Sequence, residues 1–238
     1  MRLAVQIMAH PSRSAMAIDL AEQLGLRRWE HITWDRMSDP WETGARAWRR
    51  VAARRADWSM VIQDDTLVCL DLIPAMEAAL AHVPQRVIVS PFVGMNQPRG
   101  YVRQITAAVE QANELGASWM MTGGLMWGVA ICVPTVTIPE MVAWGDRMHQ
   151  WRSYDKRVGQ FYKRRNYRTW YTWPSLVDHR DVPSLLAHVN EFHIPERVAH
   201  RFIGQDISGL ELDWSGPVQP VWPNGYPDRE GAQSVRRG

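Results

Sequence analysis

Cysteine is scarce in this chain, with two in 238 residues. That is too few for a disulfide framework, and their spacing matches no thiolate zinc site. Both lie in apolar runs, Leu67-Val68-Cys69-Leu70 and Ala130-Ile131-Cys132-Val133. This pattern predicts buried thiols in a reducing compartment, with one disulfide between them as the alternative. An excess of one charge is lacking too: 27 basic residues against 25 acidic ones leave a net charge of +2. So small a balance does not by itself specify a nucleic-acid or membrane partner. No apolar run is long enough to cross a bilayer. The opening Met1–Met8 segment is too short for a signal peptide, and no cleavage pattern follows it, so a cytoplasmic location is expected. Finally, neither G-x-G-x-x-G nor G-x-x-x-x-G-K-[ST] occurs, which argues against the usual dinucleotide and P-loop sites.

Tryptophan, in contrast, is abundant, at 13 residues. So many indoles exceed what a core centre would take, so some are expected to line a cleft. The length suits one well-buried domain. Leu3 to Met8 reads as a buried strand, broken by His10-Pro11-Ser12-Arg13-Ser14 and followed by helical spacing from Ala15 to Leu24. That opening predicts an α/β domain with a parallel sheet. Further strands are expected at Arg28–Trp34, Trp58–Ile62 and Arg86–Ser90, and helices at Trp41–Arg55 and Leu70–Ala81. The segments Met120–Leu125 and Gly128–Val133 suggest a hairpin or paired strands. Helices at Ile138–Met148 and Tyr154–Arg165 come next. A strand then runs from Tyr171 into a polar loop holding His179 and Arg180. The fold is expected to occupy residues 1–212, and the Pro- and Gly-rich stretch 213–238 to be a tail without its own core.

Four constellations could carry chemistry. Gln63-Asp64-Asp65-Thr66 sets two carboxylates at the end of a strand, where open α/β sheets bind ligands. Oxygen donors of this kind suit Mg²⁺ or Mn²⁺ bridging a diphosphate; the alternative is a turn or cap before the next helix. In Ser153-Tyr154-Asp155-Lys156-Arg157, Asp155 is either a first-turn acid that complements the helix dipole or a general base. In Pro174-Ser175-Leu176-Val177-Asp178-His179-Arg180, His179 is a candidate metal ligand or phosphate contact, and Arg180 would suit a diphosphate. His10 and Arg13, in the first strand-to-helix loop, could contact a base or ribose.

These pieces in this order resemble an A-type (GT-A-like) glycosyltransferase over roughly residues 1–180. The resemblance implies a Rossmann-type sandwich with a central mixed, mostly parallel sheet flanked by helices. The opening loop, Ala9-His10-Pro11 with Arg13, resembles the family's nucleotide-recognition segment. Gln63-Asp64-Asp65 resembles its acidic metal motif, usually D-x-D. The departure to Q-D-D puts the direct ligand in question: Asp65 is preferred, with Asp64 facing ribose or water. Trp127-Gly128-Val129-Ala130 and Tyr154-Asp155-Lys156-Arg157 resemble the acceptor segment, with Trp127, Gly128, Tyr154 and Arg157 as contacts and Asp155 as the base of inverting members. His179 falls where many members complete the metal site, and Arg180 would join the donor contacts.

The implied activity is metal-dependent transfer from a nucleotide sugar, UDP-linked by preference, to an acceptor hydroxyl. The Pro174–Arg180 segment also resembles phage-encoded glycosyltransferases that modify 5-hydroxymethylpyrimidines in DNA, which would place the protein in a host cytoplasm. The basic-aromatic run Lys163–Tyr171 and Arg46, Arg49, Arg50, Arg54 and Arg55 would then face DNA; the alternative is that both are solvated faces. Two rival functions use the same residues: a metal-dependent phosphohydrolase, or a DNA-binding protein without catalysis. The oligomeric state cannot be read from the sequence.

Overall fold

In the computed structural model, the structure describes residues 1–222 except 38, 85, 152 and 183–196. Strand β1 (Leu3–Ala9) is buried on both faces: Val5, Ile7 and Ala9 enter one core, Ala4 and Met8 the other. Such two-sided burial is what a near-continuous apolar run encodes in a parallel sheet covered by helices. Two strands lie parallel to β1, namely β2 (Ile32–Trp34) on one side and β3 (Trp58–Gln63) on the other. Then come β4 (Thr66–Val68), β5 (Val87–Ser90), β6 (Trp119–Thr122), β7 (Ala130–Pro134), β8 (Arg168–Thr172), β9 (Val177–His179) and β10 (Val218–Pro220).

The main sheet runs β10-β6-β8-β5-β7-β3-β1-β2, and β4 pairs with β9 in a separate two-stranded ribbon. Parallel pairings (β1–β2, β1–β3, β5–β8, β6–β10) outnumber antiparallel ones (β3–β7, β5–β7, β6–β8). The chain is therefore an α/β protein with a large mixed, mostly parallel sheet flanked by helices, as expected.

One face of the sheet packs against α1 (Ser14–Gln23), α4 (Leu72–Leu80) and α5 (Val102–Leu115), through residues such as Leu20, Met76 and Ile105. The other carries α3 (Pro40–Ala52), α6 (Ile138–Asp146) and α7 (Tyr154–Lys163), through Trp48, Met141 and Phe161. Helix α3 begins where Asp39 accepts hydrogen bonds from the backbone N–H groups of Trp41 and Glu42, with Pro40 at the first helical position. That is a strong start signal, and the helix buries Trp41, Ala45 and Trp48 as their spacing predicts.

Several expectations need correction. The segment 28–34 is not all strand: a short helix α2 (Arg28–His31) precedes β2. Strands β6 and β7 are not a hairpin, because β8 and β5 lie between them. Apolar runs reveal that a strand is buried but not which strand it pairs with. His179 lies in β9 rather than a loop, paired opposite Thr66. The stretch beyond Asp213 contributes to the fold: β10 edges the main sheet, and buried Trp214 packs against Trp119 at 5.4 Å. Residues 223–238, the remainder of the expected tail, lie outside the described residues. Tryptophan serves the core more than any cleft, since Trp41, Trp48, Trp119 and Trp214 are all buried. Cys69 and Cys132 are buried free thiols, and burial pushes the Cys69 thiol up to about 12. Among the described residues, no helix is long and apolar enough to cross a membrane.

Candidate functional site

The parallel trio β2-β1-β3 ends at one edge of the sheet, and backbone hydrogen bonds carry the pairing just past the strand ends. Asp64 N–H donates to Met8 O at 3.1 Å, and Asp35 N–H donates to Ala9 O at 2.6 Å. Two acids therefore flank the end of β1. The chain then turns at Asp64-Asp65 into β4, whose partner β9 runs antiparallel with Thr66 opposite His179. Arg180 N–H continues that ribbon by donating to Asp65 O at 2.8 Å. Segments more than 100 positions apart in sequence are thus placed side by side.

The side chains converge accordingly. His179 Nε2 lies 3.3 Å from Asp65 Oδ2, with side chains 9% and 5% exposed. Arg13 Nη1 hydrogen-bonds the same Asp65 oxygen and sits 3.4 Å from Asp64 Oδ1. The other Asp64 oxygen accepts the backbone N–H of His10 at 2.7 Å. The His10 ring lies 2.8 Å from the Ser12 hydroxyl and 3.9 Å from Asp35 Oδ2. Pro11, between them, is exposed, and Ala9 is buried at the strand end. Arg180 donates to Asp19 on α1 at 2.6 Å. Of the alternative reading of Asp64-Asp65, the turn holds, since both lie in the turn from β3 to β4, and the cap does not, because α4 starts at Leu72 with Asp71 at its N-cap position.

Burial pushes the Asp64 carboxyl above the ordinary carboxylate range; negative Asp65 adds to this, while the His10 N–H and Arg13 oppose it. Burial acts the same way on Asp65, but the hydrogen bond and charge at His179, together with Arg13, outweigh it and hold that carboxyl low. Two adjacent buried acids cannot both carry charge cheaply without a cation, and the Arg13 guanidinium beside both supplies one.

The residues fit a divalent ion in a limited, specific way. His179 Nε2 faces Asp65 Oδ2 at 3.3 Å, and Asp65 Oδ1 is buried with no hydrogen-bond partner among the described residues; the unpartnered His179 Nδ1 is on the ring edge turned from Asp65. No group of three His, Cys, Asp or Glu side chains among the described residues could hold a metal alone. An oxygen-ligated Mg²⁺ or Mn²⁺ commonly takes one or two protein carboxylates and completes its shell with phosphate and water. These residues offer part of such a shell and do not make a closed protein cage.

Asp155 lies near the same sheet end. It opens α7, where the Ser153 hydroxyl donates to its carboxylate, as does the Lys156 N–H at 2.9 Å. A Cβ placed on Gly128 would stand 2.8 Å from Asp155 Cβ and 3.6 Å from Gln63 Nε2. Gly128 therefore permits close approach between α7 and the end of β3. Trp127 is buried and donates to Gln97 O at 2.7 Å.

Tyr154 and Arg157 are not brought to this site. Tyr154 is a core residue 4% exposed. Arg157 donates to the carbonyls of Trp151 and Gly145 and stacks over Trp41 at 5.0 Å. Their spacing turns them inward from Asp155 along α7.

The proposed basic surfaces are largely spent within the fold. Arg46 pairs with Glu42 and Arg49 with Asp146. Arg50 and Arg54 donate to backbone carbonyls, including those of Ile32 and Val5. From the second cluster, Arg165 pairs with Glu140, and Tyr171 is fully buried in β8.

The sequence reading missed Asp35, whose Oδ1 accepts from the Thr43 hydroxyl at 2.6 Å. A signal existed: an acid immediately after β2, equivalent in position to Asp64 after β3. The chain matches no protein-family model and no curated protein.

Proposed function

We propose that the chain is a metal-dependent glycosyltransferase, moving a sugar from a nucleoside-diphosphate donor to an acceptor hydroxyl. The observation that carries this reading is the contact of His179 with Asp65 beside Asp64 and Arg13, at the carboxyl ends of β1 and β3. Asp65 and His179 would hold the ion. When bound, it would supply positive charge to offset what develops on the departing diphosphate oxygen. Arg13 and Arg180 would bind the diphosphate through charge-assisted hydrogen bonds, and His10 with Asp35 would border the nucleoside.

Asp155 is the general base. The acceptor oxygen forms its bond to the anomeric carbon as the bond from that carbon to the diphosphate oxygen breaks, and Asp155 takes the acceptor proton. A single displacement of this kind inverts the anomeric centre. The same metal residues would serve a phosphohydrolase. Product analysis separates the two: transfer needs an acceptor hydroxyl, whereas hydrolysis proceeds with water alone. A DNA acceptor is not included: of the arginines expected to face DNA, Arg46, Arg49, Arg50, Arg54 and Arg165 are engaged within the fold.

The test is a thermal-shift screen of nucleoside diphosphates and nucleotide sugars, with and without Mn²⁺, followed by turnover of Asp155→Asn. One nucleotide should stabilise the protein only with Mn²⁺. The variant should keep that shift and lose transfer. Stabilisation indifferent to Mn²⁺, or full turnover by the variant, would refute the proposal.

A further inference from the structure

Arg13 is set into the acidic pair, in contact with both carboxylates. Its side chain is 11% exposed, and Nη1 bonds Asp65 Oδ2 while lying 3.4 Å from Asp64 Oδ1. The short turn that carries it, Pro11–Arg13, is pinned at its start by the His10 N–H donating to Asp64. The Arg13 N–H also donates to His10 O at 2.9 Å. The loop is thus clamped onto the carboxylates that it neutralises.

A divalent ion taken between His179 and Asp65 would meet the guanidinium already on Asp65 Oδ2 and Asp64 Oδ1. At a few ångströms, in a site with little water, like charges repel strongly. We propose that Arg13 is an internal counter-cation: it closes the acidic pair to free divalent ions and yields it when the ion arrives with a diphosphate. The proposal rests on the reading of Asp65 and His179 as metal-holding residues. Arginine suits the task because its planar fork matches carboxylate and phosphate alike, so the side chain can turn from Asp65 to the incoming phosphate and stay paired. Ion and diphosphate then strengthen each other's binding, by the same factor in either order.

The experiment needs no catalysis. Mn²⁺ uptake by the full chain is followed through the electron paramagnetic resonance signal of the unbound ion, for wild type, Arg13→Gln, Arg13→Lys and Asp65→Asn. Arg13→Gln should bind Mn²⁺ alone about tenfold more tightly than wild type, or better. Arg13→Lys, which keeps a cation, should stay nearer wild type, and Asp65→Asn should lose uptake. If Asp65→Asn loses uptake but Arg13→Gln binds no tighter than wild type, the counter-cation role is overturned and the metal reading stands. If no protein takes up Mn²⁺, with or without a nucleoside diphosphate, both fall together. Should Arg13→Gln not fold, wild type decides alone: its Mn²⁺ affinity should rise about tenfold with a saturating diphosphate from a nucleotide panel. An affinity indifferent to every nucleotide overturns the proposal.

Discussion

Replacing Arg157 by methionine separates a binding role from a structural one. The side chain donates to Trp151 O and Gly145 O and lies over the Trp41 ring. Methionine keeps most of the stem and its packing but loses the donors and the charge. Trp151 O would lose its partner in a partly buried place, costing about 1–3 kcal/mol. Gly145 O also accepts the N–H of Met148, so its loss is only one ordinary hydrogen bond, about 0.5–1.5 kcal/mol. The contact with Trp41 adds about 0.5–2 kcal/mol. Water reaching the vacated carbonyl offsets part of this, so about 2–4 kcal/mol is expected. Urea unfolding should show a lower midpoint with an unchanged slope. The stabilisation of the variant by nucleotide and Mn²⁺, measured from its own baseline, should match that of wild type. Wild-type stability combined with a lost ligand shift or lost transfer would refute the reasoning and make Arg157 a ligand contact, as the family resemblance implies.

Two further outcomes follow from the same geometry. Gly128→Ala would set a methyl 2.8 Å from Asp155 Cβ, which cannot swing away as a side-chain tip could, so the first turn of α7 must shift. Transfer should fall about 10- to 100-fold while the Mn²⁺-dependent nucleotide shift persists, and unchanged turnover would mean that Asp155 need not be held there. In the pH dependence of stability, burial lowers the affinity of His31 and His200 for a proton in the folded state. The unfolded chain therefore protonates first as pH falls below about 6.5, and their contribution to stability is lost on the acid side. Denaturation at a series of pH values should show a shallower acid decline for His31→Gln/His200→Gln than for wild type. Parallel curves would rule out this origin.

Where the sequence was legible, local chemistry decides the structure. The β1 run, the Asp39-Pro40 start of α3 and the apolar positions of α7 each announce their element through spacing and caps. Asp64 and Asp65 were legible as an acidic pair at the end of an apolar strand; His179 was joined to them through the family resemblance, and its place in β9 was not read. What could not be read is which strand pairs with which. Nothing local to Met120 or Ile131 says that β8 and β5 come between them, since a buried strand presents the same apolar run to any neighbour. The arginines misled for a related reason. Arg50 and Arg54 are intervals of one basic helix face in sequence, yet the carbonyls they bind belong to residues far away in the chain. Arg157 and Asp155 are two positions apart, so α7 turns them to different surroundings, and the motif that joins them in sequence does not join them in space.

Topology explains why the remaining candidates meet. Strands β1, β2 and β3 run the same way, so the chain leaves all three at one edge, and Asp35 and Asp64 occupy the exits beside β1. Strand β7 is antiparallel to β3, with Ala130 opposite Ile62, so its entry segment, Gly128-Val129, arrives where β3 leaves. The Gln63 N–H donates to Val129 O there at 2.9 Å. Antiparallel pairing therefore adds an incoming loop to the outgoing ones, and Gly128 lets α7 bring Asp155 against it. The β4–β9 ribbon does the same for His179. Each contributor is the end of an element whose middle lies in a core, so the acids are held by strands rather than by a flexible loop. Arg13 differs: it sits on the short turn before α1, where its guanidinium bonds both Asp64 and Asp65 and the His10 N–H bonds Asp64. Of the charged groups meeting Asp65, Arg13 belongs to no strand, so its side chain can turn without unpairing one. That asymmetry is what a counter-cation exchanged for ligand requires.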